Sequence, residues 1–163
     1  MPDVMVAPPR AVPQSDNEYF EVLTKAVFQS GISWKVISSK WSGFQAAFDG
    51  FDVDKVAEYG PADEDRLLAD AGIVRNARKV SATIQNARTV QDLAGKHGSM
   101  ASWLDTSKDL PWPERKAAVS APFANFGPMG AYFFLWSVGE ATPPHEQEPE
   151  WDGPVPSEFA LRS

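Results

Sequence analysis

The chain has 163 residues, 43% of them hydrophobic, and its six Trp and ten Phe supply bulky material for the core of one domain. It has no cysteine and two histidines, which excludes disulfides, thiolate metal sites and histidine-rich metal sites. No apolar run approaches the roughly 20 residues of a membrane span. The first residues also lack the pattern of a signal peptide, so we expect a soluble cytoplasmic protein.

The net charge of −7 argues against an anionic partner, but the charge is distributed unevenly along the chain. Residues 71–139 carry a net charge of +4, whereas residues 1–70 carry −6 and residues 140–163 carry −5. Because binding depends on local potential as well as on total charge, an anionic partner would bind the middle third. The counts alone favour the alternative, which is an ordinary scatter of solvated charge.

Proline clusters at both ends predict irregular tails at residues 1–14 and 146–163 around a helical domain at 15–145. Within that domain Ser15 or Asp16 is placed to cap a first helix. A second helix is predicted to begin at Ser33, because apolar residues again recur at helical spacing. The two apolar stripes are Tyr19, Phe20, Leu23 and Val27, then Trp34, Ile37, Trp41, Phe44 and Phe48.

The helical pattern continues through the middle of the chain. A short turn or helix is expected at Asp52, and the next helix has Pro61 near its start and stops by Gly72. A longer helix follows from about Asn76.

The last third predicts a short helix at 112–121, a turn rich in glycine and proline at 122–128, and a helix at 129–139 that is apolar on every side. No alternating strand pattern of useful length occurs anywhere in the sequence. The predicted fold class is therefore all-α.

Two stretches have the form helix, glycine-containing turn, helix, one turning at Gly72 and the other around Gly127. Glycine lets the backbone approach a ligand closely, and the first N–H groups of the second helix have no partner within that helix. Such a turn therefore suits a phosphate group. The alternative is a turn that simply joins two helices, and for a single isolated hairpin this alternative is favoured.

The segments FQSGISW (28–34), GIVRNARK (72–79) and FANFGPMGAYFFLWSVG (123–139) resemble blocks of the DNA-3-methyladenine glycosylase I family. The similarity extends over roughly residues 16–100 and 114–145. This family belongs to the DNA glycosylases with a helix-hairpin-helix, so the resemblance implies a helical domain that binds duplex DNA containing a damaged base. It further implies a monomer without cofactor or membrane contact, acting in the cytoplasm at the nucleoid.

The resemblance also implies an activity in base-excision repair. Such an enzyme flips out an alkylated purine, for example 3-methyladenine, and hydrolyses its N-glycosidic bond. Aromatic stacking holds a flipped base, and cation–π attraction adds to stacking for a positively charged purine. The implied pocket residues are Ala26, Phe28, Gln29, Ser33 and Trp34. Trp34 matches the pocket tryptophan of the family, although it also begins a buried stripe and core packing is its alternative role.

The resemblance places the DNA backbone against the second hairpin, with further cations from the first. The implied contacts are Phe126, Gly127, Met129, Gly130, Arg115, Lys116, Arg75, Arg78 and Lys79. For the three cations of the first hairpin, Arg75, Arg78 and Lys79, a solvated helix face or pairing with neighbouring acids is an equally good alternative.

The sequence departs from the family in three places. Ala26 replaces an acidic residue that is the family's principal candidate for supporting bond cleavage. The family's N-terminal aromatic and histidine block has no counterpart before Asp16. The zinc ligands are missing as well, since the chain has no cysteine and His145 alone cannot form a tetrahedral site, so we expect no metal. Glu146 and Glu148 are weak candidates for a replacement acid, with a solvated acidic tail as the alternative.

These departures leave catalytic competence open. The first hypothesis is a DNA N-glycosylase of the 3-methyladenine type with an impaired pocket. The second is a DNA-binding or damage-binding protein that has lost the chemistry, which Ala26 favours. The third is a protein-interaction module on the same scaffold, which the net charge of −7 would suit.

Overall fold

The computed structural model describes residues 11–143, and every regular element in that range is helical, as predicted. The helices are α1 (Asp16–Gln29), α2 (Trp34–Ser39), α3 (Trp41–Ala47), α4 (Val53–Ala57), α5 (Pro61–Leu68), α6 (Ala77–His97), α7 (Met100–Asp105), α8 (Trp112–Ser120) and α9 (Pro128–Ser137), with a 3-10 turn at Asp49–Phe51. Within residues 11–143 no helix has both the length and the apolar character needed to cross a bilayer.

The 21-residue helix α6 lies at the centre of the fold, and α1, α4, α5 and α7 all pack against it. It begins close to the predicted position because the Asn76 side chain accepts a hydrogen bond from the backbone N–H of Lys79. Lys96 lies in its last turn, where a positive charge is favourable. Gly98 then ends the helix with φ of +94°, a conformation that favours glycine.

Helix α1 supplies one side of the core and also fixes the starts of two other helices. Its predicted stripe is buried, and the Ser15 hydroxyl caps it by accepting a hydrogen bond from the N–H of Glu18. The Asp16 carboxylate accepts from the N–H of Met100 at 2.9 Å, at the start of α7. The Asn17 side-chain oxygen Oδ1 accepts from the N–H of Val53 at 3.0 Å, at the start of α4. Polar groups of one helix thus satisfy the unpaired N–H groups of two others.

The region predicted as one helix from Ser33 forms two. Lys40 separates α2 from α3 with φ of −103° and ψ of 4°, outside the helical range. Ile37 and Phe44 on the predicted stripe are fully buried, whereas Trp41 is half-buried. The indole N–H of Trp41 donates to the Glu21 carboxylate at 2.8 Å, which gives this large side chain a polar contact at the surface.

Helix α7 is an element that the apolar periodicity does not predict, because it spans only six residues. Its start is marked by Ser99, whose hydroxyl accepts a hydrogen bond from the N–H of Ser102 at 3.0 Å. Met100, Trp103 and Leu104 are buried at the spacing of one helical turn.

Helices α8 and α9 pack against each other at the end of the described chain and are joined by a short turn, as the sequence predicts. All residues of α9 from Gly130 to Ser137 are buried, so the helix is surrounded by protein on every side. Ala11, within the predicted N-terminal tail, donates a backbone hydrogen bond to the carbonyl of Ser137 at 3.2 Å. The predicted C-terminal tail, residues 146–163, lies outside the described residues.

Candidate nucleic-acid interface

The segment FQSGISW forms the tight connection between α1 and α2. Gly31 has φ of +76°, a conformation that other residues rarely adopt, and the N–H of Ile32 donates to the carbonyl of Gln29 at 3.0 Å. The exposed Ser33 caps α2 by accepting a hydrogen bond from the N–H of Lys35 at 3.2 Å. Trp34 is therefore the first residue of α2 and lies immediately after the turn.

Four of the five predicted pocket residues are buried around this turn. The Trp34 side chain lies against Phe133 of α9, with ring centroids 5.6 Å apart, and Trp34 keeps only 9% exposure. Ala26 and Gln29 are 1% and 6% exposed, and one helical turn of α1 separates them. Phe28 points away from this group, because its ring makes an edge contact of 4.7 Å with Phe44 of α3.

Lys79 is the charged group nearest this turn in the hydrogen-bond network, and it is buried. Its ammonium donates to the carbonyl of Val27 at 2.7 Å and to the carbonyl of Ser30 at 2.5 Å, while the residue is only 7% exposed. Burial lowers the pKa of this ammonium. The structure therefore places Lys79 inside the protein, where its charge satisfies the last carbonyl groups of α1.

The turn between α8 and α9 presents an open helix N-terminus. Gly127 precedes α9 without a side-chain cap, is exposed, and has no atom within 4 Å of the position that a Cβ would take. Pro128 has no N–H, and the N–H of Ala131 donates to the carbonyl of Gly127. The N–H groups of Met129 and Gly130 therefore have no partner within the helix. The first turn of α9 contains no acidic residue, so the positive end of its dipole is not neutralised locally.

Phe126 shapes this turn from within. Its ring makes edge contacts with Phe123 at 5.8 Å and with Phe134 at 6.1 Å. A Cβ on Gly130 would lie 2.8 Å from the Phe126 ring, so the ring lies directly against the first turn of α9. Any larger side chain at position 130 would therefore require the Phe126 ring to move.

Asn86 of α6, which the sequence analysis does not single out, holds this turn in place. Its side-chain amide donates to the carbonyl of Ala124 at 3.1 Å, and its carbonyl oxygen accepts from the N–H of Ala124 at 2.7 Å. The residue is 1% exposed, so both bonds form away from water. A polar residue within the buried stripe of an amphipathic helix is the signal that would have identified it.

The predicted cations around the second hairpin differ in how far they are available. Arg115 is 5% exposed; its guanidinium bonds the Glu140 carboxylate at 2.6 Å and the carbonyl of Leu104 at 3.3 Å. Lys116 is half-buried, with its ammonium 5.5 Å from the centre of the Trp112 ring. The Arg115 charge is thus used within the protein.

The turn of the first hairpin, between α5 and α6, lies against α3. A Cβ on Gly43 of α3 would lie 2.1 Å from the carbonyl oxygen of Gly72, and the Lys40 ammonium donates to the carbonyl of Ala71 at 3.3 Å. Arg75 and Arg78, which follow this turn, are exposed. The Gly72 turn therefore packs against α3 on one side, while Gly72 itself and the two arginines stay exposed to solvent.

The remaining candidates concern an acid and a metal. Glu146 and Glu148 lie outside the described residues, as does His145. Within residues 11–143 no group of three His, Asp or Glu side chains is arranged to hold a metal ion.

Comparisons with known proteins agree with this architecture. A family model described as methyladenine glycosylase matches residues 10–124. DNA-3-methyladenine glycosylase 1 of Escherichia coli (strain K12) is 40% identical over 78 residues, which span 47% of this chain and 42% of that enzyme. DNA-3-methyladenine glycosylase of Haemophilus influenzae (strain ATCC 51907 / DSM 11121 / KW20 / Rd) is 30% identical over 147 residues, which span 78% of this chain and 80% of the relative.

Solved structures show the same fold. A crystal structure of 3-methyladenine DNA glycosylase I superimposes with a TM-score of 0.72 at 24% identity, covering 79% of this chain and 81% of the other. The Staphylococcus aureus enzyme, described for its recognition of 3-methyladenine, gives 0.71 at 22% identity, covering 84% and 81%. The described chain thus has the helical fold of these DNA glycosylases. By its family match over residues 10–124, the chain belongs to the methyladenine glycosylase family.

Proposed function

We propose that the protein is a base-excision DNA glycosylase that removes alkylated purines, such as 3-methyladenine, from duplex DNA. The observation that carries this proposal is the family match over residues 10–124, which includes the whole connection between α1 and α2. The E. coli and H. influenzae relatives are both DNA-3-methyladenine glycosylases. The protein acts as a monomer and needs no cofactor.

The N-terminus of α9 is the proposed site for the DNA backbone. The N–H groups of Met129 and Gly130 point along the open end of the helix, and Gly127 adds no side chain that would block a phosphate. Lys116 on α8 and the exposed Arg75 and Arg78 of the first hairpin are the proposed sources of positive potential for the duplex. These contacts fix the position of the duplex and carry no information about the base. Lys79 and Arg115 are not part of this site, because protein groups hold their charges.

The proposed base pocket lies at the connection between α1 and α2. Trp34 offers an aromatic face on which a flipped purine stacks. Gln29 is 6% exposed, and no hydrogen bond joins its side-chain amide to another residue of the described range 11–143. A glutamine amide matches the N6 and N7 edge of adenine, donating one hydrogen bond and accepting another. We assign Gln29 the recognition of this edge.

The chemistry requires little acid catalysis for this substrate. A 3-methyladenine nucleotide is positively charged, and breaking the bond between C1′ and N9 leaves the electron pair on the base, which departs neutral. Water then bonds to C1′ and releases a proton to solvent. Ala26 offers no carboxylate to stabilise the developing positive charge on the sugar, a contact worth about 1.5–3 kcal/mol when present. We therefore expect excision about 10- to 150-fold slower than with the acid in place.

The direct test is release of free base from alkylated duplex DNA by the purified protein, identified by mass spectrometry under single-turnover conditions. Trp34→Leu should abolish most of the release. Trp41→Leu is the matched control, because Trp41 is half-buried and stacks on Phe44 and Phe51, whereas Trp34 contacts Phe133. Both variants must first be shown to be folded by circular dichroism. Equal rates in the two variants would exclude Trp34 from the pocket.

Ala26→Glu should raise the rate of base release, since it restores a carboxylate to the pocket. A carboxyl group introduced at a site with 1% exposure is favoured in its neutral form unless it gains a partner, so folding must be checked here too. A folded Ala26→Glu protein with no gain, beside a natural protein that releases no base, would rule out the enzyme. Reduced release in Glu146→Gln or Glu148→Gln would identify a replacement acid.

Ala26 favours a second candidate function, a DNA-binding or damage-binding protein without the chemistry. Such a protein would bind a duplex containing an abasic-site analogue more tightly than an undamaged duplex and would release no base. Duplex affinity measured by fluorescence anisotropy, beside base release, separates the two functions. A protein with neither property would have the fold alone.

A further inference from the structure

Helix α6 contacts both parts of the candidate interface through polar side chains on one face. Lys79 and Asn86 are seven residues apart, two turns of the helix, so they project on the same side. At a rise of about 1.5 Å per residue, they are separated by about 10 Å along the axis. Lys79 bonds the end of α1 at the pocket, and Asn86 bonds the turn before α9.

Both contacts are well suited to hold a segment rigidly. Lys79 donates two hydrogen bonds to carbonyl groups three residues apart, Val27 and Ser30, which brackets the last turn of α1. Asn86 bonds both the N–H and the carbonyl of one residue, Ala124, so both polar groups of that residue's backbone are tied to α6. Lys79 is 7% exposed and Asn86 1%, so water does not compete for these bonds.

We propose that α6 is a spacer that sets the distance between the base pocket and the phosphate-binding turn, with Lys79 and Asn86 as its positioning residues. The inference rests on the proposed function. A flipped base reaches its pocket only when the phosphates on either side are held at a matching distance. Misplacement by about 1 Å can lower a rate by about 100-fold. Neither residue touches the reacting atoms, so each acts through the segment that it holds.

The two residues should affect different steps. Lys79→Met removes the bonds to α1 and should lower the single-turnover rate of base release at saturating DNA by about 10- to 100-fold, with little change in duplex affinity. Asn86→Leu keeps the shape of the side chain but leaves Ala124 without partners. It should weaken binding to a duplex containing an abasic-site analogue by about tenfold, with a smaller change in the rate at saturation.

Thr83→Val is the matched control. Thr83 lies between the two residues on α6, is 1% exposed, and donates its hydroxyl hydrogen bond only within the helix, to the carbonyl of Lys79 at 2.8 Å. This substitution removes a buried hydrogen bond from α6 without touching the pocket or the turn. It should leave both the rate and the affinity close to those of the natural protein.

Hydrogen–deuterium exchange measures the positioning directly, without relying on activity. Lys79→Met should increase exchange in residues 27–32 and Asn86→Leu in residues 121–127, each without loosening the other segment. Equal loss of rate and affinity in both variants, or exchange that rises across the whole chain, would show that α6 is only a general support. A natural protein that neither binds DNA nor releases base would overturn the proposed function and, with it, a role for the spacer in excision. The exchange pattern would still decide whether α6 holds the two segments.

Discussion

The two helical hairpins of this protein share one sequence pattern, but they differ in what packs against the turn and in whether a side chain caps the second helix. In the first, the Gly72 turn lies so close to α3 that a Cβ on Gly43 would stand 2.1 Å from its carbonyl oxygen, and Asn76 caps the following helix with its side chain. In the second, Gly127 has no neighbour within 4 Å of a Cβ, and α9 begins without a side-chain cap. The first turn packs against α3 and precedes a capped helix, whereas the second precedes a helix with no side-chain cap.

A glycine turn before a helix therefore does not by itself define a phosphate site. What matters is whether the first N–H groups of the helix already have a partner. In α6, the Asn76 side chain accepts a hydrogen bond from the N–H of Lys79, and the Lys79 ammonium is buried. In α9, no side chain caps the first turn, so the N–H groups of Met129 and Gly130 remain for an anion.

One added methyl group on α3 should disrupt its contact with the Gly72 turn. Gly43→Ala places a Cβ against the backbone of Gly72, which cannot move without displacing α3 or the hairpin, and should lower the free energy of unfolding by about 3 kcal/mol. Gly95→Ala is the matched control, because Gly95 lies within α6 with no atom near its Cβ position. It should stabilise the helix by up to about 1 kcal/mol. Urea unfolding measures both, and similar values for the two variants would contradict the close approach.

In the second hairpin, the ion pair between Arg115 and Glu140 links α8 to the chain beyond α9. The two side chains are 6% and 29% exposed, so Glu140→Gln leaves a buried guanidinium without its charge partner. We expect a loss of about 2 kcal/mol in the free energy of unfolding, below the cost for a fully buried pair because Glu140 reaches solvent. An unchanged midpoint of chemical unfolding would show that Arg115 finds a second acceptor.

A negative charge at the Gly127 turn should block phosphate binding without destabilising the fold. Gly127→Asp adds a good helix cap, which should keep or raise stability, yet its carboxylate should weaken duplex binding at least about tenfold by repelling phosphate. Gly60→Asp is the matched control, since Gly60 also precedes a proline at the start of a helix and has an open Cβ position. Its duplex affinity should not change. Equal losses of affinity in both variants would place the DNA elsewhere.

The buried cation of the first hairpin should reveal itself in the pH dependence of stability. Burial lowers the pKa of Lys79 below its ordinary value of 10.5, so the folded protein binds this proton less tightly than the unfolded chain. The energetic cost of the charged form is therefore present at neutral pH and disappears as the pH rises toward 10.5. The free energy of unfolding of the natural protein should therefore rise over that range relative to that of Lys79→Met. Arg78→Met, which removes an exposed cation from the same helix, is the control, and equal slopes for the two variants would contradict the effect.

Much of the helical architecture is predictable because apolar spacing reports burial. The stripe of α1 and the fully apolar α9 are confirmed, since a residue such as Phe20 or Phe134 has no stable place except the core. Helix α7 is not predicted, because six residues give too few repeats of the pattern. Polar residues are harder still, since Lys79 resembles a surface residue and Asn86 is marked only by its position in the buried stripe of α6. Only the tertiary fold places carbonyl groups beside them.

The backbone hydrogen bond between Ala11 and Ser137 holds the start of the described chain beside the end of α9. Val12 lies close to Gly139 as well, since a Cβ on that glycine would stand 2.9 Å from the Val12 side chain. A short peptide linker can therefore connect Gly139 to Ala11, and the chain can be reopened at the exposed Gly98 between α6 and α7. We expect this circular permutant to fold to the same helical content by circular dichroism. Such a result would show that the fold does not depend on the order in which the helices follow one another along the chain.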